Sequence, residues 1–66
     1  MADMDIYVGM LHALKAAEYL LITHVERRNG NVSGEELNHR LAMEQLDKMA
    51  EALGLDLVPR ADVVLR

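Results

Sequence analysis

Asp5–Asn29, DIYVGMLHALKAAEYLLITHVERRN, decides the fold. At 100° per residue, Asp5, His12, Lys15, Tyr19, Thr23 and Glu26 fall in one polar sector of a helix. Ile6, Met10, Ala13, Leu14, Ala17, Leu20, Leu21 and Val25 lie on the other side, with Leu11 and Ile22 widening it. A helix packed on a single layer shows an apolar stripe of roughly 100°. This one is about twice as wide, so two neighbours are expected.

Inside the wide face, Gly9, Ala13 and Ala17 recur every four residues. Small residues at that spacing let two backbones approach closely, while alanine also serves simply as a strong helix former. Arg27 and Arg28 suit the negative end of the helix dipole, and Asn29-Gly30 provides the stop.

Downstream, Val32-Ser33-Gly34-Glu35-Glu36-Leu37 reads as a capping box. Ser33 is the expected N-cap with Glu36 at N3, and Val32 and Leu37 form the hydrophobic staple. The second helix should run from 33 to 53 and end at Gly54, with Leu55 folding back on its last turn. Its expected inward stripe is His39, Ala42, Met43, Leu46, Met49, Ala50 and Leu53. The outer face alternates charge, with Glu36–Arg40 and Glu44–Lys48 at i,i+4. Leu37 and Leu41 lie off the stripe and suggest a further contact surface.

The link between the helices, residues 30–32, is short enough to force them back on each other. The tail, residues 55–66, alternates leucine with aspartate and carries Pro59 and Val63-Val64-Leu65, so it reads as an extended arm. The expectation for residues 1–66 is therefore one all-α domain: an antiparallel helical hairpin with an extended C-terminal arm. Two such hairpins would pair into a dimeric four-helix bundle.

Composition supports association. A chain of 66 residues buries only about 60% of its unfolded surface and needs a staple. It has no cysteine, which excludes disulfides and thiolate zinc sites. Expected partners are a second copy and an unidentified protein. The dimer interface is placed at Gly9, Met10, Ala13, Ala17, Leu20, Leu21 and His24. The partner surface is placed at Tyr19, Leu37, Leu41, Leu57 and Val63.

Net charge is −4, which argues against nucleic acid and against an anionic membrane surface. An acidic start is unlike a signal peptide, and His12, Lys15, Glu18 and His24 interrupt the apolar run, so a cytoplasmic setting is expected.

Leu46–Arg60, LDKMAEALGLDLVPR, resembles the final helix and tail of lambda-repressor-like regulators over fifteen residues. No helix-turn-helix precedes it, and no DNA-reading residue is carried over. The alternative function is a small DNA-associated or antitoxin-type regulator, with Arg27, Arg28 and Arg40 near the turn as phosphate contacts.

Three histidines invite a site. His24 and His39 should sit at one level of the hairpin, and Glu36-x-x-His39 has the spacing used in helical metal bundles. Further inward carboxylates are lacking, so the two histidines are expected to be interface residues; His12 is expected on the surface. Ser33 is explained as a cap and Thr23 as a polar-face residue. No catalytic residue, metal or cofactor is expected, and the chain is read as a non-enzyme.

Overall fold

Two left-handed glycines and one asparagine cap shape the computed structural model, which describes residues 3–60. Helix α1 spans Asp3–Arg28 and helix α2 spans Val32–Leu53; they pack on each other as an all-helical hairpin. The first helix closes through Gly30 at φ 74°, with Gly30 N–H donating to the Arg27 carbonyl and Asn31 N–H to that of Glu26. The second closes the same way: Gly54 sits at φ 70°, and Leu55 N–H reaches the Ala50 carbonyl at 2.8 Å. Both are Schellman stops, and they satisfy carbonyls that would otherwise be orphaned.

The start of α2 differs from the sequence expectation. Asn31, not Ser33, is the N-cap. Its Oδ1 accepts the Gly34 N–H at 3.1 Å, and its carbonyl accepts that of Glu35 at 2.9 Å. The helix is thus wound before Ser33 is reached, and the Ser33 hydroxyl donates to the Asn31 side chain instead. Asn31 wins because its amide also donates to the Glu26 carboxylate, which ties the cap to the end of α1. Arg27 Nε and Glu35 Oε2, 2.7 Å apart, add a second strap across the turn. That pair is exposed and contributes at most about 1 kcal/mol. Asn31→Ala should therefore cost about 1 kcal/mol and Ser33→Ala only a few tenths, read by denaturant melting at one chain concentration.

The helices meet on their small residues. Gly9, Ala16 and Thr23 of α1 are buried, seven residues apart, against Ala42 and Ala50 of α2. Around this strip, His12, Ala13 and Tyr19 of α1 are half-buried, as are Asn38, Leu41, Gln45, Leu46, Met49 and Leu53 of α2. At Gly9 the backbone of α1 lies directly under the Leu53 side chain. A Cβ there would lie 2.8 Å from Leu53 Cγ.

Much of the expected polar sector of α1 is consequently its inward face. Thr23 is 4% exposed because its hydroxyl donates to its own helix, to the Tyr19 carbonyl at 2.8 Å, and can then turn its methyl inward. His12 crosses to α2, where its Nδ1 donates to Gln45 Oε1 at 2.7 Å. Expected inward positions on α2 shift as well: His39 and Met43 are exposed, and Leu41 replaces them.

Beyond Gly54 the chain through Arg60 takes no helix or strand. Leu57, Val58 and Pro59 share a groove with Met43 and Asp47, so the arm runs back along α2. The Cα trace extends 42 × 26 × 12 Å, which is one helix layer thick.

Candidate interaction surface

No large side chain in the hairpin is fully buried. Methyl groups and a glycine fill the centre of the contact, with Leu41, Leu46, Met49 and Leu53 of α2 half-buried around it, while most large apolar groups of α1 go elsewhere. On α1 they go to the side opposite α2. Measured around the helix at about 100° per residue, Tyr7, Leu14 and Val25 lie roughly half a turn from the strip of Gly9, Ala16 and Thr23. Their neighbours Met4, Met10, Leu11, Leu21 and Ile22 complete the same outer face. Leu14 is 62% exposed and Leu21 is 65% exposed. Glu18 is the one charged residue in the middle of this face; Asp3 and Arg28 stand at its two ends.

The outer face of α2 is of the opposite character. Glu36, Arg40, Glu44, Asp47, Lys48 and Glu51 are all exposed there. One helix is therefore amphipathic and covered on its apolar side, while the other is apolar on two sides and covered on one. Large contiguous apolar patches on a surface mark interaction sites.

Surface area makes the same point. The whole chain exposes 5362 Å². A compact monomer of 7.4 kDa exposes about 4,200 Å². The extended arm contributes part of the surplus. A stable interface buries about 800 Å² per partner.

Several expected positions move as a result. Gly9 is consumed inside the chain beneath Leu53, and Ala13 is half-buried near it. Met10, Ala17, Leu20, Leu21 and His24 remain exposed. Among the expected partner-surface residues, Tyr19 and Leu41 are half-buried between the helices. Leu37 and Leu57 are exposed at 45% and 48%, and Val63 lies outside the described residues. Met4, Tyr7, Leu11, Leu14 and Val25, which now dominate the open face, were absent from the expected interface. Their alternating spacing of three and four residues was the signal that would have found them.

His24 and His39 are both exposed, away from the helix contact, and only His12 crosses to the other helix. Among the described residues no three His, Asp or Glu side chains are grouped to hold a metal ion. An open cleft of about 480 Å³ at the free ends of the helices is lined by Asp5, Val8, His12, Lys48, Glu51 and Ala52. Its walls mix both charge signs, and His12 within it is already engaged with Gln45. The two candidate hydroxyls are also committed, Thr23 to the Tyr19 carbonyl and Ser33 to the Asn31 cap. Of the three arginines considered for phosphate contact, Arg27 is paired with Glu35.

No described helix is long and apolar enough to cross a membrane. Compared with known proteins, the chain matches no family model, no curated protein and no solved structure.

Proposed function

We propose that this protein is a small non-enzymatic protein–protein interaction module that acts as a homodimer. The observation carrying this reading is the outer face of α1, where Tyr7, Leu14, Leu21 and Val25 stand in solvent on the side away from α2. Two copies meeting there would place the α1 helices at the centre of a four-helix assembly and the charged faces of α2 outside. Burying such side chains stabilises by about 1.5–3 kcal/mol each, which outweighs anything the alanine strip within one chain supplies. Leu37 and the arm groove of Met43, Leu57 and Val58 then stay open to a second protein, as an adaptor, inhibitor or accessory subunit requires.

Stability of such a dimer depends on chain concentration. Sedimentation equilibrium is expected to give twice the chain mass at micromolar concentration, and the melting temperature is expected to rise with concentration. A well-folded monomer with a concentration-independent melt would overturn this reading.

A further inference from the structure

Resting on that reading of α1, we propose that the two copies pair antiparallel, centred near residue 16, so that Glu18 of each chain lies beside the partner's Lys15. The outer face of α1 carries a heptad seam. Met4, Leu11, Glu18 and Val25 recur every seven residues, and Tyr7, Leu14, Leu21 and Arg28 form a second set between them. Steps of three and four alternate along the whole of α1, the pattern by which one helix packs knobs into holes of another.

Charge decides the direction. A parallel, in-register pair would oppose Glu18 to Glu18, Arg28 to Arg28 and Asp3 to Asp3, a like-charge clash at the middle and at both ends. An antiparallel pair centred near residue 16 sets Leu14 opposite Glu18, Leu11 opposite Leu21 and Tyr7 opposite Val25. Every position of one set then faces a position of the other. Lys15 flanks the partner's Glu18, and the acidic first turn of each α1 lies beside the basic last turn of the other. Arg27 is held within its own chain by Glu35, which leaves Arg28 to meet the partner's Asp3. The single carboxylate inside the apolar face thereby acquires a partner and sets the register, the role that isolated polar residues serve in helical seams.

The chain contains no cysteine, so introduced thiols report the pairing directly. Tyr7→Cys and Val25→Cys chains are oxidised separately and as a mixture, and each sample is sized first. The expected result is a disulfide-linked species in the mixture and almost none in either chain alone. In the antiparallel pair two residues 25 stand about 27 Å apart along the axis, from 18 residues at 1.5 Å each, far beyond the reach of a disulfide. A dimer that cross-links within each variant alone overturns the register while leaving self-association intact. A species larger than a dimer also overturns it, and a well-folded monomer overturns both readings.

A second measurement spares the apolar seam. Glu18 and Lys15 are exposed on the hairpin, so replacing them leaves the α1–α2 contact untouched. Glu18→Lys is expected to weaken the dimer about tenfold by facing the partner's Lys15, and adding Lys15→Glu is expected to restore it. In a parallel pair Glu18→Lys merely exchanges one repulsion for another. An unchanged affinity would overturn the antiparallel register.

Discussion

Leu21→Glu is expected to turn the protein into a monomer at concentrations where the wild type is a dimer, with the association constant lowered about a thousandfold or more. Leu21 is 65% exposed in the hairpin, so a glutamate there costs the isolated chain almost nothing. In the proposed dimer it faces Leu11 of the other copy. Removing a charge from water without a partner costs several kcal/mol, and about 4 kcal/mol corresponds to a thousandfold. Two-fold symmetry places the defect twice in each interface. Sedimentation velocity across a dilution series measures the change. Glu44→Gln, on the charged outer face of α2, serves as the control and should leave association as it was. A Leu21→Glu chain that stayed dimeric at low micromolar concentration would remove the outer face of α1 from the interface.

The second large effect is inside the hairpin. Ala16→Leu is expected to lower the melting temperature by about 10–20 °C, from about 2–3 kcal/mol of overpacking in a chain where each kcal/mol shifts the melt by 4–8 °C. Ala16 is 1% exposed and faces a helix whose own contact residue, Ala42, is 0% exposed. Neither side has slack. Three extra carbons would wedge the helices apart and break the His12–Gln45 bond on the same face. The same substitution at Ala17, one residue further along and exposed, should leave the intrachain contact intact. Circular dichroism melts at matched concentration compare the two. Equal melting temperatures for both variants would mean that α2 packs on another face of α1.

These two sites show how far the sequence could be read. The hairpin was legible because its punctuation is local: Gly30 and Gly54 take the left-handed conformation, and the Leu55 N–H returns to the Ala50 carbonyl, although its side chain stays exposed. So was the excess of apolar residues on α1, which follows from counting and leaves Leu14 and Leu21 in solvent. Which side of α1 the second helix takes was not legible. A helical wheel sorts residues by type, and by type Thr23 and His12 are polar. Thr23 hides its hydroxyl in its own helix and His12 spends its N–H on Gln45, so both can line a contact. Of the Gly9, Ala13 and Ala17 stripe, only Gly9 is buried against α2; the contact strip within the chain runs through Gly9, Ala16 and Thr23 instead. The cap moved from Ser33 to Asn31 for a related reason. A capping-box pattern cannot register that Asn31 also reaches back to Glu26.

An interior lined by methyl groups also bears on how long a chain survives. A protease cuts the opened form, and when opening is fast the rate follows the population of open chains. A hairpin joined through Ala16, Ala42 and Ala50 buries no large side chain fully, so in the proposed dimer an unpaired copy is expected to open more often than a paired one. Lifetime is then expected to depend on abundance: each new copy shelters one already made, and dilution alone speeds clearance. Pulse-chase decay should slow as expression rises, and the Leu21→Glu chain should decay quickly at every level. The sparse packing between α1 and α2 would in that way let the cell count copies of the protein by their half-life.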